Sequence, residues 1–86
     1  MFYIYVLRSK RSRKLYTGFA SDLRKRLTEH RDSKSPYTSS RGPYELIYYE
    51  ACMNRNDAAA REKYLKTGTG KRYLKNRNKR FLALTG

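Results

Sequence analysis

In two segments near the start of the chain, successive residues are predicted to point to opposite faces of a β-strand. This pattern constrains the fold more than any other feature of the sequence. FYIYVLR begins at Phe2, KLYTGF ends at Phe19, and the residues from Ser9 to Arg13 between them are small or basic. A period of two is typical of β-strands, and the short loop predicts that the two strands form a hairpin. A symmetric hairpin would place Tyr5 roughly across from Tyr16.

The same alternation assigns side chains to the faces of the predicted sheet. YELIYYEAC is predicted as a third strand, with Leu46 and Tyr48 on one face. In the second strand, Gly18 predicts either the strand end or a close approach of another group to the backbone. In the first strand, one face is expected to carry Phe2, Ile4 and Val6, and the other Tyr3, Tyr5 and Leu7.

Three later segments carry helical signals, and residues 32–43, which are rich in serine, proline and glycine, are predicted to be a polar loop. The predicted helices are DLRKRLTEHR, DAAAREKYLKT and GKRYLKNRNKR, whereas the tail FLALTG is too short to assign. Their expected boundary residues are Ser21 or Asp22 before the first helix, Asn54 or Asn56 before the second, Gly68 after it, and Thr69 before the third.

The element order β-β-α-β-α-α predicts an α/β protein of the α+β type. We expect a small, mainly antiparallel three-stranded sheet flanked by three helices. The 86 residues are expected to form a single domain, 1–86, with its core at about 2–80. Cys52 is the single cysteine, so no intramolecular disulfide can form. No stretch has the length of a membrane span, and a cytoplasmic protein without a membrane partner is expected.

The charge is high and unevenly distributed along the chain. Lysine and arginine number 21 against 7 acidic residues, which makes the net charge +14. Residues 1–31 carry nine basic and two acidic side chains, residues 53–86 carry ten and two, and the stretch between them is nearly neutral. Two basic segments of this kind predict a surface that binds a polyanion, DNA or RNA.

The first predicted helix places polar groups beside its apolar stripe. Leu23 and Leu27 define that stripe, and at 100° per residue His30 and Arg26 fall on one side of it. Both are therefore expected to border the core. A hydrogen-bonded, partly buried histidine and an arginine with a packed stem and a solvated head are the structural alternatives to a functional role.

The second predicted helix places a carboxylate on its apolar face. Ala58 and Leu65 mark this face, and Glu62 falls about 40° from Ala58. A carboxylate that points toward a core requires a cation, a metal or several hydrogen-bond donors. An ion pair with Arg26 is the structural alternative to a metal.

Together these residues indicate hydrolysis of phosphodiesters. A carboxylate can bind a divalent metal through oxygen, and an arginine can stabilise the charge that develops on a phosphate. An attacking water must lose a proton, for which a phenol or an imidazole is suited. A pocket that combines Tyr5, Tyr16, Arg26, His30 and Glu62 in a basic protein would provide these groups.

The chain resembles the GIY-YIG nuclease domain, the superfamily of the UvrC N-terminal nuclease and of some homing and restriction endonucleases. Tyr3-Ile4-Tyr5 stands at the first signature triplet, with Tyr3 in place of glycine, and Tyr16-Thr17-Gly18 matches the second. SDLRKRLTEH is similar to the family helix DLxxRLxxH, and AAAREKYLKTGTGK is similar to the segment that supplies a metal-binding glutamate. The resemblance covers about residues 2–80 and is greatest to small single-domain, UvrC-like proteins.

The resemblance implies a role for each matching residue. Glu62 would bind one Mg²⁺ or Mn²⁺, and Arg26 would contact the scissile phosphate. Tyr5, Tyr16 and His30 would surround the attacking water, and each remains a candidate for the general base. A late asparagine is matched by Asn76 or by Asn78, and the two remain alternatives. Phe19 replaces a lysine of some repair nucleases, so that phosphate contact is expected to be missing.

The resemblance implies an endonuclease that acts on DNA, including branched or damaged DNA in repair or recombination, with a protein partner for targeting. A binding module of the same fold with little cleavage is the alternative, and a basic ribosome-associated protein is a third reading that leaves Glu62 unexplained. Substrate specificity and oligomeric state are not determined by the sequence. The residues expected to contact the nucleic-acid backbone are Arg24, Lys25, Lys71, Arg72 and Lys75.

Overall fold

A computed structural model describes residues 1–31 and 43–85 of the chain, so residues 32–42 of the predicted polar loop lie outside it. The strands and helices follow the predicted order, with one more helix at the end where the sequence allowed no assignment. They are β1 (Phe2–Ser9), β2 (Leu15–Ala20), α1 (Leu23–Arg31), β3 (Tyr44–Cys52), α2 (Arg55–Leu65), α3 (Gly68–Arg77) and α4 (Lys79–Thr85).

The three strands form one antiparallel sheet with β1 in the centre, in the order β2-β1-β3. Because a central strand is covered on both faces and paired on both edges, its residues Ile4 to Leu7 are at most 2% exposed. This confirms the predicted α+β fold class. The N-terminal segment thus supplies the centre of the molecule.

The register of the hairpin differs by two residues from the symmetric prediction. Tyr5 pairs with Gly18, and Tyr16 pairs with Leu7. The reason is that β1 continues through Ser9, whose backbone N–H donates to the carbonyl of Lys14 at 2.9 Å and closes the loop. A shift of two residues keeps every side chain on its face. Tyr5 and Tyr16 are consequently diagonal neighbours on one face.

A β-bulge in β3 overturns the predicted alternation of that strand. Val6 pairs with Tyr48, whereas Leu7 pairs with Leu46, so Ile47 is an extra residue between two pairs. Leu46 therefore packs on the α1 side of the sheet, and Tyr48 packs on the opposite side. The expectation that Leu46 and Tyr48 share a face is wrong.

Each face of the sheet carries its own hydrophobic core. On one face, Ile4 and Val6 pack against residues of α2 and α3. On the other face, Tyr5 and Leu7 pack against α1. The helical residues in these two cores are Ala58, Leu65 and Leu74 on the first face and Leu23 and Leu27 on the second. Among the described residues, no helix is long and apolar enough to cross a membrane.

The helix boundaries confirm some of the predicted caps and correct others. Asp22 accepts the backbone N–H of Lys25 at 3.0 Å at the start of α1, and Asn54 caps α2. Thr67, instead of Thr69, caps α3 by accepting the N–H of Gly70. Gly68 lies inside α3 and does not terminate α2. Lys66 ends α2 with an ordinary right-handed backbone, so no glycine is needed there.

Candidate active site

Tyr5 occupies the centre of the sheet face that α1 covers. Its side chain is 1% exposed, and its ring lies over Gly18 on the neighbouring strand. A Cβ at Gly18 would come within 2.8 Å of Cε2 of the Tyr5 ring and closer still to the hydroxyl end. The close approach of Tyr5 therefore requires glycine at position 18. This confirms the predicted alternative in which another group approaches the backbone of Gly18. Strand β2 continues past it to Ala20.

His30 lies at the end of α1 and contacts Tyr5 directly. Its Nε2 is 2.8 Å from the hydroxyl of Tyr5, and the residue is 8% exposed. Burial, and secondly the positive charge of Arg26, lowers the pKa of His30 below its ordinary value of 6.5. The neutral imidazole is thus favoured at neutral pH, and it can accept a hydrogen bond from the phenol.

Tyr16 completes a cluster of three rings, which we call the Tyr5–Tyr16–His30 cluster. Its ring centroid lies 6.3 Å from that of Tyr5 and 5.5 Å from that of His30. Tyr16 is only partly buried, in contrast to Tyr5. Burial first, and then the neighbouring phenol of Tyr16, raises the pKa of Tyr5 well above its ordinary value. Tyr5 therefore retains its proton at neutral pH.

Arg26 places a positive charge beside this cluster from one turn earlier in α1. The guanidinium acts to lower the pKa of both Tyr5 and His30. Arg26 itself is exposed, so the expectation that it borders the core instead of facing water is wrong. The long arginine side chain extends beyond the apolar stripe, and its charged head remains accessible to a phosphate.

Glu62 places a negative charge near the cluster from α2. Its side chain is 24% exposed, and its carboxylate contributes to the raised pKa of Tyr5. Its ion pair is with Lys66, Nζ to Oε2 at 3.2 Å, and not with Arg26 as the structural alternative proposed. Ala58 and Leu65 on the same face of α2 are fully buried, as predicted.

The surroundings of Glu62 are compatible with one weakly ligated divalent metal. Among residues 1–31 and 43–85, no three histidine, cysteine or acidic side chains come together to form a metal cage. Mg²⁺ retains several waters and is commonly bound by one or two carboxylates together with substrate phosphates. The single, partly exposed carboxylate of Glu62 fits that donor set.

A second polar cluster was not found by sequence reasoning. Nε of Arg61 donates to both carboxylate oxygens of Glu50, at 2.8 and 3.1 Å, and the hydroxyl of Tyr48 donates to Glu50 at 2.9 Å. The guanidinium of Arg61 also lies over the rings of Tyr64 and Tyr73, 5.2 and 4.8 Å from their centroids. An acidic residue in a strand beside a tyrosine was the signal available in the sequence.

This Glu50–Arg61 cluster joins β3, α2 and α3, and Arg61 immediately precedes Glu62 in the sequence of α2. Burial alone would raise the pKa of Glu50, but the hydrogen bonds from Arg61 and Tyr48 together lower it. The ionised carboxylate is therefore stabilised by the fold. Tyr48, Tyr64 and Tyr73 all contact this charged pair.

The predicted backbone-binding residues lie in three different places. Lys71 and Lys75 line a cavity of about 690 Å³ together with Tyr16. Arg72 lines a separate cavity with Asn76, and Arg24 lines another on the α1 side. Lys25 is exposed on α1. The predicted residues are thus distributed over α1 and α3 and over separate cavities, and their binding role stays a prediction.

The remaining predicted positions have structural surroundings. Asn78 caps α3, and its side-chain amide donates to the carbonyl of Leu74 at 2.8 Å. Phe19 stacks on Phe2 with the ring centroids 6.0 Å apart, and the guanidinium of Arg55 lies 5.9 Å from its ring. Phe19 thus contributes to the core on the α2 side, because its partner in the register is Ile4.

Comparison with known proteins agrees with this arrangement. The sequence pattern of the GIY-YIG catalytic domain matches residues 1–80. A UPF0213 protein of Clostridium perfringens is 40% identical over 67 residues, which are 77% of this chain and 71% of the relative. A UPF0213 protein of Staphylococcus saprophyticus is 36% identical over 74 residues, which are 85% of this chain and 89% of the relative.

A solved structure is also similar. The solution NMR structure of a UPF0213 protein from Bacillus halodurans matches with a TM-score of 0.54 and 31% sequence identity, and the match covers 86% of this chain and 82% of that one. The fold is that of the GIY-YIG nuclease superfamily. The chain belongs to the GIY-YIG family, which confirms the resemblance found in its sequence.

Proposed function

We propose that this protein is a metal-dependent endonuclease that hydrolyses phosphodiester bonds of DNA. The observation that carries the proposal is the Tyr5–Tyr16–His30 cluster. Arg26 and Glu62 carry opposite charges, and both influence the pKa of Tyr5. Membership of the GIY-YIG family supports it. The net charge of +14 favours association with a polyanionic substrate.

Glu62 and Arg26 would bind the metal and the phosphate, respectively. Glu62 would hold one Mg²⁺ or Mn²⁺, which when bound supplies a Lewis acid that polarises the scissile phosphate and stabilises the leaving oxygen. The exposed guanidinium of Arg26 would contact the phosphate and stabilise the additional charge of the transition state. Lys66, which now pairs with Glu62, is 56% exposed and can move away when a metal arrives.

The two phenols differ in their suitability for proton transfer. Tyr5 is buried and its pKa is raised, so it holds its proton and donates a hydrogen bond. Tyr16 is less buried and lines an open cavity, so a substrate and its attacking water can contact it. We assign Tyr16 as the phenol that contacts the attacking water, and Tyr5 and His30 as the pair that orients it.

The substrate class that we propose is DNA with a branch or a lesion, as in repair or recombination. We propose that residues 1–86 form one domain that contains the site, and that a protein partner supplies the targeting. Cleavage would leave a phosphate on one product end. We propose a cytoplasmic location for this activity.

The experiment is a cleavage assay on labelled duplex, single-stranded, flap and branched DNA in Mg²⁺, Mn²⁺ or EDTA. We expect metal-dependent cleavage by the wild type and a loss of at least about 100-fold in Glu62→Gln and Arg26→Ala. Asp57→Asn is the matched control, because Asp57 lies in the first turn of the same helix as Glu62 and is exposed.

Full activity of Glu62→Gln would exclude the proposed metal role. Salt-sensitive binding of every DNA without cleavage by the wild type would instead support a binding module of the same fold.

A further inference from the structure

The loop of the hairpin and helix α3 line a cavity of about 690 Å³, and Tyr16 also lines it. We propose that this cavity, here called the loop–α3 groove, binds a short single-stranded segment of DNA and guides it to the Tyr5–Tyr16–His30 cluster. The inference rests on the proposed function in that it names the form of substrate that enters the same site. The basic residues of the groove are Arg11, Arg13, Lys14, Lys71 and Lys75.

The charge of the groove matches a phosphate backbone. Basic side chains come from both walls, three from the loop and two from α3, and none of the described residues that line the cavity is acidic. Lys71 and Lys75 are one helical turn apart, so both project from the same side of α3. Residues distant in sequence therefore concentrate positive charge along one track, which is how single-stranded nucleic acids are commonly bound.

The loop that forms one wall is held in shape by Ser9. This residue is 1% exposed, and its Oγ accepts the backbone N–H groups of Arg11 at 3.2 Å and Ser12 at 3.1 Å. The backbone of Ser9 also bonds with that of Lys14 and of Arg13, both at 2.9 Å. The basic side chains thus extend from an ordered turn, and little ordering is required when a ligand binds.

Arg13 has a backbone conformation that arginine rarely adopts. Its φ is 66°, in the left-handed region that favours glycine or asparagine. A side chain other than glycine costs roughly 1–2 kcal/mol in this region. The position would be filled more stably by glycine, so the presence of an arginine in the wall of the groove agrees with a requirement for its charge.

The aromatic residues and the volume of the groove favour a single strand. Tyr16 and Tyr44 both line it, and tyrosine rings are common stacking surfaces for unpaired bases. A cavity of about 690 Å³ is in the range that holds small ligands, comparable in size to one or two nucleotides. A stiff duplex would lie across such a cavity instead of entering it.

Tyr16 connects the groove to the proposed chemistry. It lines the groove, and its ring contacts those of Tyr5 and His30. A strand that lies in the groove therefore reaches the cluster without any movement of the sheet. Sequence reasoning included Lys71 and Lys75 but missed the three basic residues of the loop, because a basic loop in a basic protein has no distinguishing pattern.

The experiment measures binding in EDTA, so that it is independent of cleavage. The probes are a fluorescent oligonucleotide of about fifteen thymidines and a duplex of equal length, titrated at several salt concentrations. We expect Arg11→Gln with Lys75→Gln to weaken binding of the single strand by at least about fivefold and to reduce the salt slope by about 1.4, since each phosphate contact contributes about 0.7. Lys63→Gln, an exposed lysine of α2 outside the groove, is the matched control.

Two further variants test the loop and the aromatic wall separately. Arg13→Gly removes a charge and relieves the backbone strain, so binding should weaken while the midpoint of thermal unfolding does not fall. Tyr44→Leu keeps an apolar side chain but removes the stacking surface, and a loss of about fivefold or more is expected for the single strand. The duplex should be affected less by Tyr44→Leu than the single strand.

The inference is overturned if the groove variants bind the single strand as well as Lys63→Gln does, or if they lose only duplex binding. The outcome for the proposed function is separate. If the wild type never cleaves DNA but the groove variants bind the single strand more weakly, the proposed groove is supported and the proposed endonuclease activity is excluded. If cleavage depends on Glu62 but the groove variants bind the single strand as the control does, the proposed endonuclease activity is supported and the proposed groove is excluded.

Discussion

The hydroxyl of Tyr5 lies 2.8 Å from Nε2 of His30, although the two residues are 25 positions apart. This contact fastens the end of α1 to the central strand and satisfies two polar groups in a buried setting. Burial raises the pKa of the phenol and lowers the pKa of the imidazole, so both groups are neutral at neutral pH. The Tyr5–His30 pair therefore connects α1 to the central strand, and both of its rings contact Tyr16.

The lowered pKa of His30 predicts that stability depends on pH. The unfolded chain, with a histidine pKa near 6.5, binds a proton more readily than the folded chain, so stability is complete above that value and decreases as the pH falls toward the folded pKa. His30 is the single histidine of the chain. Urea unfolding between about pH 7.5 and pH 5 should show this decrease in the wild type and a smaller one in His30→Gln. Equal decreases in both proteins would contradict it.

The two glycines at positions 18 and 68 should respond oppositely to alanine. Gly18→Ala places a methyl group into the ring of Tyr5, and we expect a loss of about 1–3 kcal/mol in the free energy of unfolding. Gly68→Ala meets no atom within 4 Å in the first turn of α3 and should stabilise the protein by about 0.4–1 kcal/mol. Denaturant titration measures both. A Gly18→Ala variant as stable as the wild type would show that Tyr5 does not occupy this position.

The Glu50–Arg61 pair should contribute both to stability and to the position of Glu62. The side chains of Glu50 and Arg61 are 21% and 32% exposed. Removal of one partner should therefore lower the free energy of unfolding by about 1–3 kcal/mol, which is less than the loss expected for a fully buried pair. We expect Arg61→Lys to lose most of this stabilisation, because lysine lacks the planar fork that bonds Glu50 and lies over Tyr64 and Tyr73.

The measurement for this pair is a double-mutant cycle with Glu50→Gln and Arg61→Lys, followed by unfolding. Additive losses in the two variants would show that the pair is not coupled.

The contribution of Glu50 to stability should depend on pH, because its pKa is lowered in the folded state. The contribution is complete above the ordinary carboxyl pKa of 4.5 and disappears as the pH falls through the pKa of the folded state. A manganese titration of both single variants should show weaker binding, if Glu62 depends on this support.

Lys66 should compete with a metal for Glu62. Its Nζ lies 3.2 Å from the carboxylate but is largely exposed, and such pairs contribute up to about 1 kcal/mol. Lys66→Gln is therefore expected to raise the affinity for Mn²⁺ by up to about fivefold, measured by calorimetry. Lys63→Gln removes the same charge from the same helix and serves as the control. Equal affinities in both variants would indicate that Lys66 does not occupy the metal position.

Much of the candidate site was predictable because its signals are local. Tyr5 and Tyr16 stand out by strand alternation, and His30 and Glu62 stand out by helical phase, which places each on a face where polar groups need partners. Arg26 shows the limit of this reasoning. Helical phase predicts the direction of its Cβ, but the guanidinium at the end of a long side chain reaches water.

The sequence alone determined the order of the strands and helices, the hairpin, the basic surface charge and the residue types of the candidate site, since alternation, helical periodicity and capping act over a few neighbouring residues. Only the tertiary structure decided the register of Tyr5 on Gly18, the bulge at Ile47, the Glu50–Arg61 pair and the groove between the loop and α3. Each of these features depends on which distant segments pack together. The free energy of that packing is a sum over contacts throughout the chain, so no local sequence pattern determines it.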